Sequence, residues 1–275
     1  MITRPLLKLL TFCGLICCSL FVGASEQPVS EKFVDSARIQ NADNEPGSWL
    51  SHGRNYAEDR ESPLTQITPD NVSQLGLAWY FDTNTTRGLE ALHLIIDGIL
   101  FTTTSWSQLF AHDVATGELL WRFDPEVPKA WGVNACCDVV NRGVAAWGNE
   151  VFVGTIDGRL IALDRATGEV KWDVLTIDPK HPYTITGAPR AVKGNIFIGN
   201  GGAEYGVRGY VSAYDARTGK LNWRFHTVPG NPSEPFESET MRKAADTWTG
   251  DLSYAPPAKA SARTPSAENH DSLSA

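Results

Sequence analysis

Two methionines stand against nine Trp and 24 Gly in 275 residues, which argues against a helix bundle and for a turn-rich β protein stapled by aromatics. No stretch beyond the N-terminus is apolar for long enough to span a bilayer. Positive charge is also short: 24 Lys+Arg against 32 Asp+Glu leave a net charge of −8, which excludes a protein that tracks phosphates, so no nucleic-acid partner is expected. No C-x-x-C-H sequence occurs, so no c-type haem is attached to this chain. The six His (His52, His93, His112, His181, His226, His270) lack metal-ligand spacing and read as structural or surface residues. Gly199, Gly201 and Gly202 approach a glycine-rich loop, but strands flank them, and no Ser-His-Asp arrangement can be made. What remains is 42% hydrophobic, enough for a sizeable core.

Residues 1–24 read as a secretory signal. Arg4 and Lys8 give the positive start, residues 9–23 the apolar stretch, and Val22-Gly23-Ala24 a small-residue cleavage site. The expectation is export to the periplasm, with residues 25–47 as an N-terminal extension. Cys13, Cys17 and Cys18 lie inside the signal, so the mature chain keeps two cysteines, the adjacent Cys136 and Cys137. In an oxidising compartment such a pair either closes into a small strained ring or stays as two small buried hydrophobes.

A repeat decides the architecture. Ala111–Trp121, Ala162–Trp172 and Ala213–Trp223 share the form A-x-D-x-x-T-G-x-x-x-W, and their tryptophans are 51 residues apart in both steps. A period near fifty is the mark of a propeller. Thr-Gly makes a tight turn because Gly reaches positive φ without penalty, and the Asp can accept N–H bonds from that turn. The Trp then sits on the following strand, where it can pack between neighbouring sheets. Trp79 resembles a degenerate earlier copy. Strands are expected at 94–96, 99–101, 143–147, 150–154, 159–163, 188–192 and 195–198, four per unit, with one short helix at 238–245. Residues 48–250 therefore predict an all-β fold, a partial β-propeller of three to four four-stranded antiparallel blades.

Two further segments, Asn134-Ala135-Cys136-Cys137-Asp138-Val139-Val140-Asn141-Arg142-Gly143 and Gly201-Gly202-Ala203-Glu204-Tyr205-Gly206-Val207-Arg208-Gly209-Tyr210, resemble the quinoprotein alcohol dehydrogenases. These are eight-bladed propellers that use pyrroloquinoline quinone (PQQ) and a metal ion. Supporting stretches are Arg87–Glu90, Ile185–Arg190 and Phe236–Glu239, although Leu92-His93 stands where the family carries a Thr-Pro step. The resemblance implies that Cys136 and Cys137 form a vicinal disulfide over one face of the quinone and that Arg142 pairs with a cofactor carboxylate. It implies hydrogen bonds from Glu90 and Thr186 to the cofactor rim, with backbone of Gly202 and Ala203 nearby, and Glu204 as ligand to calcium or a lanthanide. The implied activity is oxidation of a primary alcohol to an aldehyde, with electrons passed to a separate acceptor such as a cytochrome c or a membrane quinone. The alternative is a non-catalytic exported propeller that binds another protein, which accounts for the repeat but not for the cysteines.

The resemblance stops after Gly250. Residues 251–275, with six Ala, five Ser and three Pro, read as a disordered tail. The family's quinone-floor Trp, metal-binding Asn and catalytic Asp would lie beyond this point, so the expectation is an N-terminal portion, truncated or frameshifted, with no residue to nominate as catalytic base and weak metal binding.

Overall fold

The computed structural model describes residues 32–248. The expected signal with its three cysteines, and the tail at 251–275, lie outside them. Twelve strands among the described residues form three four-stranded antiparallel sheets. The first holds β1 (Leu94–Ile96), β2 (Ile99–Thr103), β3 (Leu109–Asp113) and β4 (Leu119–Phe123). The second holds β5 (Ala145–Trp147), β6 (Glu150–Gly154), β7 (Arg159–Asp164) and β8 (Val170–Leu175), and the third β9 (Arg190–Val192), β10 (Asn195–Gly199), β11 (Tyr210–Asp215) and β12 (Leu221–His226). Each sheet runs in sequence order, so each is one propeller blade. β5 starts later than expected because Gly143 bridges Leu92 instead, and β9 starts after Pro189, which has no N–H to give a ladder. The expected short helix is α2 (Glu239–Ala245), with Ser238 accepting from the Met241 N–H at its start.

The repeated motif behaves alike in all three blades. Asp113 accepts from the N–H groups of Ala115 and Thr116, Asp164 from Ala166 and Thr167, and Asp215 from Thr218. Gly117, Gly168 and Gly219 sit at φ +78°, +75° and +69°. The missing Cβ matters twice over, since a Cβ at Gly168 would meet the Trp121 ring at 2.7 Å and one at Gly219 the Trp172 ring at 2.9 Å. Trp121 and Trp172 lie on the turn of the next blade, and each donates to the carbonyl after that turn's Asp: Trp121 to Arg165 at 3.1 Å, Trp172 to Ala216 at 3.0 Å. Trp79 does the same to Val114 at 3.1 Å and lies on Gly117, although no strand forms around it. It therefore takes the place of an outer-strand tryptophan for a blade preceding the first.

Between the first two sheets, Leu94, Ile96, Phe101, Leu109, Val151, Val153, Ile161 and Leu163 make one buried cluster. Phe152, Leu160, Ile185, Ile196 and Tyr214 belong to the second, between sheets two and three. The segment before the blades joins the first cluster. Val34 bridges Gly148, Ile39 of α1 (Ser36–Gln40) and Leu50 are buried, and Trp49 bridges Ile95. Buried charge locks this segment down: Asp97, in the β1–β2 turn, accepts from Arg38 at 2.5 Å and from Arg165 of the second blade at 2.8 Å.

Antiparallel order sorts the connections to two ends. The β1–β2, β3–β4 and equivalent turns are all tight and share one end, with the Asp-Thr-Gly turns and Asp97. The long connections, 124–144, 176–189 and 200–209, share the other. Every residue expected to touch a cofactor lies at that second end.

Candidate functional site

Arg142 is the hub of the second end. Its N–H donates to the Thr186 carbonyl at 2.9 Å, and its own carbonyl accepts from Leu92 at 3.3 Å, which ties together the entries to the first, second and third blades. Its guanidinium donates to Thr186 Oγ1 at 2.7 Å and pairs with Glu90 Oε2, also at 2.7 Å. The neighbouring Asn141 is buried; its amide donates to the Gly154 carbonyl and its Oδ1 accepts from Gly143 N–H. The segment is thus held by backbone on both sides, and its fork by the Thr186 and Glu90 side chains, before any ligand arrives.

Cys136 and Cys137, bonded to each other and exposed, stand in the same connection. Asp138 comes next at φ +74°, and its carboxylate accepts from the Val139 N–H and pairs with Arg87. The Val139 bond and the Arg87 charge hold the Asp138 carboxyl below the usual carboxylate range. Arg87 and Lys129 both lie over Trp106, Lys129 Nζ at 4.0 Å from the ring centre. Trp131, just before the cysteines, donates to the Tyr183 carbonyl at 3.0 Å, so the cysteine connection is stapled to the segment that carries Thr184 and Thr186.

Glu204 sits in a single turn of 3₁₀ helix, Ala203–Tyr205, between Gly202 and Gly206, both left-handed at φ +104° and +79°. Thr184 and Gly201 pair across this wall, with Gly201 N–H donating at 2.7 Å. The disulfide, Asp138, Arg142, Thr184, Thr186, Gly201, Gly202 and Glu204 line one cavity of about 130 Å³. A larger space of about 490 Å³ shares Arg142, Thr186 and Gly201 with it and adds Arg190 and Asn200. Glu90 stands beside the cavity through Arg142, and Ala203 carries the turn rather than the wall. Thr184 and Asp138 were not nominated from sequence; the alternation of Thr184 with Thr186, and the place of Asp138 directly after the cysteines, are the signals that could have found them.

Charge and shape here suit a flat, anionic, oxygen-rich group. A guanidinium fork with a hydroxyl beside it binds carboxylate, the glycine wall lets a planar ring approach backbone, and the Glu204 carboxylate faces the same space. Among the described residues no group of three or more His, Cys, Asp or Glu is placed to hold a metal, so a cation at Glu204 must draw most of its ligands from elsewhere.

Residues 49–254 match the family model described as "PQQ: Glucose/ethanol/alcohol dehydrogenase, beta-propeller domain". The chain belongs to this family. Over 218 residues it is 61% identical to quinohemoprotein alcohol dehydrogenase ADH IIB of Pseudomonas putida, an alignment that covers 79% of this chain and 32% of that protein. Its fold is similar to the solved quinohemoprotein alcohol dehydrogenase ADHIIG of Pseudomonas putida HK5, with TM-score 0.77 and 55% identity over 79% of this chain and 32% of that one. It is also similar to a europium-containing methanol dehydrogenase, with TM-score 0.68 and 37% identity over 72% and 35% of the two chains. The chain spans about a third of the length of these PQQ-family relatives. A PQQ dehydrogenase propeller, rather than a protein-binding scaffold, is the reading these matches favour.

Proposed function

We propose that this chain supplies the PQQ- and metal-holding blades of an alcohol dehydrogenase that oxidises primary alcohols to aldehydes. The observation that carries the reading is convergence: Cys136, Cys137 and Arg142 from one connection, Thr186 from the next and Glu204 from a third face one cavity. PQQ, when bound, supplies an electron-accepting quinone that takes hydride from the alcohol carbon. The chain's own residues bind and orient. Arg142 gives two parallel N–H bonds to a carboxylate and is pre-aimed by Thr186 and Glu90. Cys136 and Cys137 would cover one face of the ring and keep water from it. Glu204 would contribute one oxygen to a hard cation, calcium or a lanthanide, and backbone at Gly202 and Ala203 would border the ring edge. We nominate none of the described residues as acceptor of the alcohol proton, and the expectation is that these blades by themselves turn over negligibly.

We further infer export to the periplasm, from the reading of residues 1–24, and electron transfer to a separate acceptor such as a cytochrome c or a membrane quinone. Titrating the purified chain with PQQ in the presence of calcium, and monitoring tryptophan fluorescence, tests the binding role. Saturable quenching that weakens at least tenfold in Arg142→Leu is expected; equal binding by that variant would sink the assignment. Dye-linked alcohol oxidation at rates typical of dehydrogenases would show that a proton acceptor has been overlooked.

A further inference from the structure

The turn that presents Glu204 is short and is flanked by two glycines in the left-handed region, where the backbone has the most freedom to re-orient. Inside the turn only three bonds hold it: Tyr205 N–H and Val207 N–H to the Gly202 carbonyl at 2.9 and 3.4 Å, and Gly206 N–H to Ala203 at 3.1 Å. Something outside must fix the direction of the carboxylate. On its N-terminal side the Gly201–Thr184 pairing does this, and Gly202 is pressed so close to the Pro182 carbonyl that a Cβ would lie 2.6 Å from it.

On the C-terminal side the anchor is Arg208, four residues after Glu204. Its carbonyl accepts from the Tyr183 hydroxyl at 3.1 Å. Its side chain, only 14% exposed, turns away from the cavity, and Nε and Nη2 donate to the Val228 carbonyl at 2.9 and 2.8 Å. The same guanidinium grips both oxygens of Glu237, through Nη1 to Oε1 and Nη2 to Oε2. Gly230 lies flat against it, where a Cβ would sit 3.3 Å from Nη1. Glu237 is in turn fixed by its neighbour Ser238, which caps α2, and α2 buries Met241 and Ala245. A continuous line of contacts runs from a docked helix, through Glu237 and Arg208, to the turn bearing Glu204.

We propose that Arg208 and Glu237 are positioning residues that hold the Glu204 turn in the orientation its metal requires, and this rests on the reading of Glu204 as a metal ligand. Neither touches the cavity. Lysine cannot replace Arg208, because one ammonium cannot satisfy the Val228 carbonyl and both Glu237 oxygens in a single plane. A carboxylate free to swing loses part of its affinity to the entropy of re-ordering on each binding event, and groups that orient metal ligands typically contribute roughly 10- to 100-fold.

Tb³⁺, a hard cation with the same preference for oxygen as calcium, is the probe. Titrations of the full chain, read by luminescence, compare the parent with Glu204→Gln, Arg208→Lys, Glu237→Gln and the Arg208→Lys/Glu237→Gln pair. Loss of the site in Glu204→Gln, a roughly tenfold weaker site in Arg208→Lys, and no further loss in the pair are expected. An Arg208→Lys affinity within twofold of the parent overturns the proposal. If Glu204→Gln leaves Tb³⁺ binding unchanged, the metal reading itself fails, and hydrogen exchange without metal then decides the positioning role. Exchange at the Tyr205, Gly206 and Val207 amides should rise about tenfold in Arg208→Lys while the sheet amides stay as in the parent. Unchanged exchange at the turn, or an equal rise everywhere, rejects it.

Discussion

Replacing Trp172 probes the contact on which the blade stacking rests. Its indole lies against Gly219, donates to the Ala216 carbonyl at 3.0 Å and packs on Phe152 at 5.7 Å. A partly buried Trp withdraws on the order of 150 Å² from water, about 4 kcal/mol at 25 cal/mol per Å². The hydrogen bond adds about 1 kcal/mol. Part of that surface is already covered in the unfolded chain, so Trp172→Ala should cost roughly 3–4 kcal/mol, a fall in Tm of roughly 10 °C. Trp172→Phe keeps most of the ring and should cost nearer 1–2 kcal/mol. Gly219→Ala forces φ +69° on a residue with a Cβ and drives that Cβ into the ring, so about 2 kcal/mol is expected. Urea unfolding monitored by circular dichroism measures all three. The decisive quantity is the double variant Trp172→Ala/Gly219→Ala: with the indole gone the clash goes too, and the combined loss should fall short of the sum by at least about 1 kcal/mol. Additivity within about 0.5 kcal/mol would mean the indole does not rest on that turn, and the account of how blades dock would be wrong.

Asp97→Asn tests the buried charge cluster. Asn tolerates the φ of +51° found there, so the change removes charge without straining the backbone, and Arg38 and Arg165 lose their shared partner. The expected cost is about 3 kcal/mol in unfolding free energy, little altered by salt; under 1 kcal/mol would show that the pairs are replaceable by water. Tyr210 sets an alkaline limit. Burial raises its pKa from 10.0 to about 12, and a phenol whose folded pKa lies above the unfolded value stabilises fully below pH 10 and loses that contribution as pH rises toward 12. Phenolate absorbance should therefore show one late-titrating tyrosine whose ionisation coincides with unfolding, and Tyr210→Phe should move that unfolding to higher pH.

Local signals were legible and distant pairings were not. The Asp-Thr-Gly turns were readable because donor, acceptor and glycine lie within five residues of one another. The site of the Trp on the strand after the turn came from the same arithmetic, but its acceptor did not, being 44 residues further on in two of the three cases. Trp79 shows the limit well. Its sequence context is degenerate and it forms no strand, yet its indole does the same work as the others. The Asp97 cluster joins positions 59 and 68 apart in sequence, and nothing in an Asp-Gly turn announces that two arginines converge on it. At the candidate site, Cys136, Cys137, Arg142, Thr186 and Glu204 were named because their segments resemble a family. The backbone anchors that hold the Arg142 segment, the Leu92 N–H and the Thr186 and Gly154 carbonyls, were invisible, because backbone groups carry no residue type.

Strand order explains where the site lies. In each sheet the chain enters on an inner strand and leaves on the outer one, so the crossing to the next blade and the connection between its second and third strands fall at the same end. The crossings at 124–144 and 176–189 and the β10–β11 connection at 200–209 are long, and they carry the cysteines, Arg142, Thr186 and Glu204. The opposite end receives only tight turns, and there the sequence places the Asp, Gly and Trp acceptors that hold blades together. Stability and recognition are thereby assigned to separate ends of the same strands. Weakening the Trp172 contact should lower the unfolding midpoint yet leave the geometry at Arg142 and Glu204 intact at temperatures well below it. Weakening Arg208 should do the reverse, since its bonds to Val228 and Glu237 steady one turn and bridge no pair of blades.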